Sequence, residues 1–400
     1  MACEASWVII RLASQGVCGP LNSKVFVAIP SEQYAYSGNI MSTGPCNEGD
    51  GRYVVNAWRA KTVSEILTVT IPPPSAEEQE RHRIYCYMLF CLLNSYWNPY
   101  KHGLDGEYPW AKGTSARKSS YLGHNIAAIA VSSSGTIVDF DFNHNELFNS
   151  SIEHAEARLL RRLFALGHRY LAEEDKALND REIGALEIRQ EFPGDLLLEH
   201  IRILHEFWDT EKTNSRTHFS KALSRLTIYT TLESCAQCSG MMALGSVEKV
   251  VYLQPDPGQN NIGAIMFNLN DPETAFRAPL PVPASAYGVT EYSELSKAYT
   301  KYLREIRSSR TKPFYKNGNF KKPPSSSLTT FLCTSAVKKI LQSAAEKFEM
   351  RMGRSPMLPL KYGDWSPSPK ALNNSEVFEE ANGFLNGAIR YGRRGTPHRM

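Results

Sequence analysis

Short apolar runs and longer segments of helical periodicity alternate along the central part of this chain. Three prolines at 72–74 are followed by Ser75 and, three positions later, by Glu78, a pair that forms a capping box at the start of a predicted helix. This helix is apolar at most positions and runs to about Trp97. The runs NIAAIAV and TIVDFDF then flank SSSG and predict a β-hairpin.

The region that follows repeats the order of strand and helix. Leu159, Leu160, Leu163 and Phe164 recur at helical spacing after a serine that can cap the helix. RLTIYTTL and KVVYLQP predict buried strands, each followed by a helical segment, and TEYSELSKAYTKYLREIR predicts an amphipathic helix. Because crossover helices connect the last strands, we expect these strands to pair in parallel. The order predicts an α/β fold with a three-layer α/β/α sheet.

Changes in composition predict three regions. Residues 1–73 contain β-like runs, among them EILTVTI, and predict a β-rich N-terminal extension. Residues 74–308 form the predicted α/β domain, which a charged helical insertion interrupts at about 168–224. Residues 309–400 predict a basic C-terminal tail with a polar linker and helices.

The formal net charge of +4 conceals an uneven distribution. Residues 301–400, with helices predicted at 328–352 and 375–391, contain 19 Lys and Arg against 7 Asp and Glu, whereas residues 1–300 contain 26 and 34. A basic segment on an acidic body is typical of proteins that bind nucleic acid. A solvated tail without a partner has the same composition, so charge alone leaves both alternatives open.

Composition favours a cytoplasmic protein, with the nucleus as an alternative. No apolar run approaches the ~20 residues of a membrane helix, so we expect no membrane partner. The N-terminus lacks the early positive charge and apolar core of a signal peptide. The 8 cysteines are widely spread, a pattern more typical of reduced intracellular thiols than of a disulfide framework.

Cys235 and Cys238 form a C-x-x-C pair on the first turn of a predicted helix. Their spacing is compatible with a structural zinc site, a redox pair or a catalytic metal site. A four-thiolate structural site needs a second close pair, and Cys86 and Cys91 have the wrong spacing. No redox-type sequence context flanks the pair. A catalytic zinc needs three protein ligands, and the H-A-E triplet upstream offers the third in His154.

His154 and Glu156 also lie at the start of a predicted helix, so two helix N-termini on one sheet would direct their ligands towards a common point. One histidine, two cysteines and a carboxylate that is not a ligand are the signature of zinc deaminases. Each half of this signature is weak alone. Both halves in this order, each at a strand-to-helix junction, predict a Zn²⁺ site with His154, Cys235 and Cys238 as ligands and Glu156 as the catalytic acid and base.

The segments SIEHAEARLL and TIYTTLESCAQCSGMMALGSVEKVVYLQPDPGQNNIGAIMFNL resemble the cytidine deaminase-like superfamily, most closely its tRNA adenosine deaminase branch. The resemblance covers about 120–170 and 225–270. In that branch an asparagine eleven residues before the zinc histidine contacts the target base, which implies this role for Asn143. Two features depart from the pattern. Ser234 replaces the proline before the first cysteine, and 81 residues separate His154 from Cys235.

The resemblance implies hydrolytic deamination of a nucleobase. Adenosine to inosine in tRNA or another RNA is the first expectation. Deamination of free cytidine, a nucleotide or a base is the second, and a non-catalytic, zinc-bound subunit of a deaminase heterodimer is the third. The partner is RNA under the first expectation and a nucleoside under the second. The family resemblance also implies a homo- or hetero-oligomer.

Overall fold

A computed structural model describes residues 61–99, 123–145, 150–173, 223–270, 277–310, 315–316, 319–320, 325–348 and 360–391. The N-terminal runs before residue 61 and most of the predicted insertion, 174–222, lie outside these ranges. The strands are β1 (Ala127–Ser132), β2 (Ile137–Phe142), β3 (Leu226–Thr230), β4 (Lys249–Tyr252), β5 (Leu280–Pro283), β6 (Tyr315–Lys316) and β7 (Asn319–Phe320). The helices are α1 (Val63–Leu67), α2 (Ala76–Tyr96), α3 (Ala155–Glu173), α4 (Ala236–Leu244), α5 (Ile262–Asn268), α6 (Glu291–Arg310), α7 (Leu328–Phe331), α8 (Ser335–Phe348) and α9 (Asn374–Tyr391).

Five strands form an open mixed sheet in the order β2-β1-β3-β4-β5. The predicted hairpin is confirmed, because β1 pairs with β2 antiparallel. β1 also pairs antiparallel with β3, and β3 pairs in parallel with β4, as the crossover helix predicted. The fifth strand, β5, was not predicted from the sequence and pairs in parallel with β4. Since β2 and β3 both run antiparallel to β1, they run in the same direction as each other and as β4.

Helices cover both faces of this sheet. Successive side chains of a strand point to opposite faces, and β3 shows this directly. Tyr229 contacts His82 of α2, whereas the next residue, Thr230, donates a hydrogen bond to Glu156 of α3. The α/β class predicted from the sequence is therefore observed, with α2 on one face and α3 on the other.

α2 begins at the predicted capping box. Ser75 accepts from the backbone N–H of Glu78, and the Glu78 carboxylate accepts from the backbone N–H of Ser75. The ten consecutive residues 84–93 are all buried. A helix that is apolar on every side must be covered on every side, and the sheet covers only one.

The helices of the predicted basic tail supply the remaining cover. α8 and α9 both pack on α2, and their apolar residues belong to the same core as the sheet. Buried Glu80 of α2 holds the segment that leads into α9. It accepts hydrogen bonds from the backbone N–H of Tyr362 at 3.0 Å and from the side-chain amide of Asn374 at 3.0 Å. These helices are therefore part of the core of the compact unit 63–400, not an appendage to it.

The strand predicted from EILTVTI is wrong, because its first three residues belong to the helix Val63–Leu67 and residues 68–71 form neither helix nor strand. The Asn268 amide at the end of α5 donates to the carbonyl oxygens of Ile66 and Thr68 at 2.8 and 2.9 Å. Tertiary contacts of this kind override the strand preference of a short β-branched run. Within the described residues, no helix is long and apolar enough to cross a bilayer.

A chain that ends at residue 310 should not fold cooperatively. This truncation uncovers α2 and removes large buried side chains, each worth about 1.5–3 kcal/mol, which together exceed the roughly 5–15 kcal/mol stability of a typical domain. Solubility and thermal unfolding followed by circular dichroism measure the effect. A control chain that ends at residue 391 keeps all described elements and should melt like the full chain. A cooperative transition in the shorter chain within about 5 °C of the full one would contradict this packing.

Candidate metal centre

Three donor atoms from the two sequence motifs converge at one end of the sheet. The Nδ1 atom of His154 lies 3.3 Å from the Sγ atom of Cys235 and 3.6 Å from that of Cys238. The two Sγ atoms are 3.6 Å apart. Within the described ranges, this is the cluster of side chains that could hold a metal ion. The predicted ligand set is thus brought together.

The direction of the strands explains this convergence. β2 and β3 run in the same direction, so the helices that follow them, α3 and α4, both begin at the same edge of the sheet. His154 immediately precedes α3, and Cys235 is the N-cap residue of α4. Cys238 lies in the first turn of α4. The free amides and positive dipole ends of two helices therefore lie at the donor cluster and favour an anionic ligand there. The hydrogen bond with Cys235, followed by burial, nevertheless raises the pKa of the Cys238 thiol.

The donor spacing fits a tetrahedral zinc ion. Zinc bonds of about 2.3 Å to sulfur and about 2.0–2.1 Å to nitrogen place tetrahedral ligands about 3.6–3.8 Å apart. The three observed separations fall close to this range. The thiols are not joined as a disulfide, whose sulfur atoms are about 2.05 Å apart. Three donors leave one tetrahedral position for a water or substrate.

Contacts around the ligands hold them in place. The backbone of Ser151 hydrogen-bonds to the His154 imidazole, the kind of support that fixes the ring of a metal-binding histidine. The Gln237 amide of α4 donates to the carbonyl oxygen of Ile152 at 3.0 Å and joins the two motif segments. A hydrogen bond from Cys238 and, less strongly, His154 lower the pKa of the Cys235 thiol to about 4. The hydrogen bond with Cys235 in turn raises the pKa of His154.

Glu156 lies beside the donor cluster in a buried position. Its Oε2 atom is 3.7 Å from the Sγ atom of Cys238, and its Oε1 atom accepts from the hydroxyls of Thr230 and Ser234. Burial raises the pKa of this carboxyl above its ordinary value, against the opposing effects of its hydrogen bonds and of His154. A carboxyl with a raised pKa next to a candidate metal site is suited to exchange protons near neutral pH.

Asn143, the predicted base-contacting residue, is buried at the start of the segment that leads from β2 to α3. Its Oδ1 atom accepts from the backbone N–H of Ala155 at 2.7 Å. This bond satisfies one of the free N–H groups at the start of α3 and positions that turn next to His154. Contact with a base remains a prediction for this residue.

A buried ion-pair network beneath α3 was not predicted from the sequence. Asp139 and Asp141 alternate with phenylalanines on β2 and face α3. Arg162 contacts Asp139 at 2.6 Å and Asp141 at 2.8 Å, and Arg158 contacts Asp141 at 3.3 Å. The alternation in DFDF and the i, i+4 spacing of the arginines are the sequence signals for this network. The network fixes α3, and with it His154 and Glu156, to the β-hairpin.

Comparisons with known proteins add little to this description. No family model and no curated protein matches the sequence. A structure from "Biochemical and Structural Studies of A-to-I Editing by tRNA:A34 Deaminases at the Wobble Position of Transfer RNA" aligns with 40% of this chain and 82% of its own, at 16% identity and a TM-score of 0.22. At this TM-score the similarity supports no conclusion about fold or activity.

Purified protein should contain about one zinc ion per chain, and Cys235→Ser and Cys238→Ser should each lose it, because two remaining donors hold zinc weakly. Elemental analysis after dialysis against a chelator measures the metal. Cys333→Ser is the control, since this thiol lies outside the cluster. Full zinc occupancy in either ligand variant, or a wild-type protein without zinc, would show that the assignment is wrong.

Arg162→Met should destabilise the fold by about 3–5 kcal/mol, because two buried carboxylates lose a compensating charge. Arg161→Met is the matched control on the same helix. The Arg161 side chain is 54% exposed against 7% for Arg162, so its pair with Glu153 should contribute at most about 1 kcal/mol. Chemical denaturation gives both free energies of unfolding. Equal losses in the two variants would contradict the structural role of the network.

Proposed function

We propose that this protein is a zinc-dependent hydrolase with a cytidine deaminase-like layering, which removes the exocyclic amine of a nucleobase, with adenosine in tRNA or another RNA as its substrate. One observation carries the proposal. The donors His154, Cys235 and Cys238 have the spacing of a three-ligand zinc site, and the buried carboxylate of Glu156 lies at its side. The sequence resemblance in both motif segments supports the same conclusion.

When held by these donors, zinc would lower the pKa of a water molecule to roughly 7 and so supply a nucleophile near neutral pH. Glu156 would take a proton from the attacking water at Oε2 and donate it to the ring nitrogen; it would then take the remaining proton of the added hydroxyl group and pass it to the leaving amino group, which departs as ammonia. The sum is hydrolysis, in which an amine and water become a carbonyl and ammonia. Deamination therefore requires no further reactant.

Retention of Glu156 argues against a purely structural zinc site. A closed structural site requires four protein ligands and no adjacent carboxylate. Among the residues that the structure describes, three donors converge, and a carboxylate that accepts two hydrogen bonds of its own lies next to them. Burial of a carboxylate costs free energy unless function or pairing compensates for it. We therefore favour a catalytic chain over a non-catalytic subunit.

Charge on α6 supports RNA rather than a free nucleoside as the substrate. Four exposed cations repeat at helical spacing along this helix: Lys297, Lys301, Arg304 and Arg307. They outnumber the exposed Glu305, which lies 4.0 Å from Lys301. Such a stripe attracts a phosphate backbone, and a free nucleoside carries no phosphate for it to contact. The reason to expect RNA is therefore the folded basic surface on α6, in addition to the basic composition of residues 301–400.

Glu156→Gln should lower ammonia release by about 10²- to 10⁴-fold while the zinc content stays at the wild-type value, because the proton carrier is lost and the ligands remain. Ammonia release from free nucleosides and then from tRNA identifies the substrate. Glu294→Gln, an exposed carboxylate on α6, is the control. Undiminished activity in Glu156→Gln would contradict the proposed role.

If RNA is the substrate, binding should weaken with added salt, and the slope of log K against log salt should become shallower by about 1.4–1.8 when Lys301 and Arg304 both become glutamine. Filter binding or fluorescence anisotropy with tRNA between low and physiological salt measures this. Salt-independent affinity for tRNA, or activity confined to free nucleosides, would exclude RNA as the substrate.

A further inference from the structure

Two hydroxyl groups hold one oxygen of the Glu156 carboxylate. The Thr230 Oγ1 and Ser234 Oγ atoms both donate to Oε1 at 3.1 Å. All three side chains are buried, with 4% exposure or less for Thr230 and Glu156 and 5% for Ser234. The other oxygen, Oε2, lies on the side of the donor cluster, 3.7 Å from Cys238. We call Thr230, Ser234 and Glu156 the hydroxyl clamp.

The position of Ser234 is informative because the resembling family has proline there. Proline has no hydroxyl and could not make this bond. A serine before a helix commonly acts as its cap, but the N-cap residue of α4 is Cys235, and the cap makes no side-chain hydrogen bond. The Ser234 hydroxyl is instead directed to Glu156. The departure from the family pattern thus replaces a rigid turn residue by a hydrogen-bond donor to the carboxylate.

We propose that Ser234, together with Thr230, is a positioning residue that holds Oε1 of Glu156 so that Oε2 is presented to the attacking water. The inference rests on the proposed function. An ionised carboxylate only accepts hydrogen bonds, so two donors on Oε1 restrict its rotation and turn Oε2, which accepts from the Cys238 thiol, towards the donor cluster. Misplacement of a catalytic group by about 1 Å can cost about 10²-fold in rate.

The two hydroxyl donors lie on different structural elements. Together they therefore fix the orientation of the Glu156 carboxylate. Thr230 is the last residue of β3, and its side chain points to the α3 face. Ser234 lies four residues later, in the turn that places Cys235 at the start of α4. The Glu156 carboxylate on α3 is therefore hydrogen-bonded to the same turn that carries the metal-ligand candidate Cys235. The clamp couples the two halves of the site through side chains that do not bind the metal.

Four variants of the zinc-loaded protein test the clamp. Ser234→Ala and Thr230→Val remove a hydroxyl, and we expect each to lower kcat by about 10- to 100-fold, with KM and zinc content unchanged. Ser234→Thr and Thr230→Ser retain a hydroxyl and should stay within about threefold of wild type. The substrate is the nucleoside or tRNA from which the wild-type protein releases ammonia.

Thr231→Val is the matched structural control. It also removes a buried hydroxyl at this end of β3, one that accepts from the backbone N–H of Ala127 at 3.0 Å and does not touch Glu156. It should lower stability and leave kcat within about threefold of wild type. If Ser234→Ala and Thr230→Val behave like Thr231→Val, with kcat unchanged, the positioning role is refuted while the deaminase assignment stands.

A second measurement does not depend on activity. Crystal structures of the zinc-loaded wild-type and Ser234→Ala proteins should show an ordered Glu156 carboxylate in the former and a rotated or disordered one in the latter. An identical carboxylate position in both overturns the inference. Absence of ammonia release by the wild-type protein would instead overturn the proposed function, and the carboxylate positions would still decide whether the clamp exists.

Discussion

The common direction of β2 and β3 is the constraint on which the rest of the site depends. Because both strands end at the same edge of the sheet, the helices that follow them begin side by side. The two motifs are 81 residues apart in sequence, and this topology brings them to one edge of the sheet, where His154 lies 3.3 Å from Cys235. A long segment can be inserted between the motifs without changing the site, because the sheet and not the connection sets the distance.

Three sets of polar contacts convert this approximate convergence into a defined geometry. The aspartate–arginine network fixes α3 on β2, Asn143 satisfies the first turn of α3, and the hydroxyl clamp ties Glu156 to β3 and the turn before α4. Each set is buried, so each would be costly if incomplete. Their arrangement around His154 and Glu156 indicates that the fold holds these two residues in fixed positions, as a catalytic centre requires.

Much of this architecture could be predicted from local sequence signals. The capping box at Ser75, the hairpin around residues 127–142 and the H-A-E and C-x-x-C junctions all depend on short-range patterns. Other features depend on tertiary contacts. The DFDF alternation of β2 indicates a two-faced strand, but only the packing of α3 shows that Arg162 compensates its aspartates. Likewise, the helices predicted at 328–352 and 375–391 are observed as α7, α8 and α9, but only the structure shows that α8 and α9 complete the cover of α2.

The central claim is that the zinc site is open and catalytic, with three protein ligands and a carboxylate beside the fourth position. X-ray diffraction from crystals of the purified protein at the zinc absorption edge tests this directly. The account predicts one ion at about 2.0–2.1 Å from His154 Nδ1 and about 2.3 Å from each of the two Sγ atoms, with Glu156 outside the coordination sphere. Four protein ligands around the ion, or no ion between these residues, would contradict it.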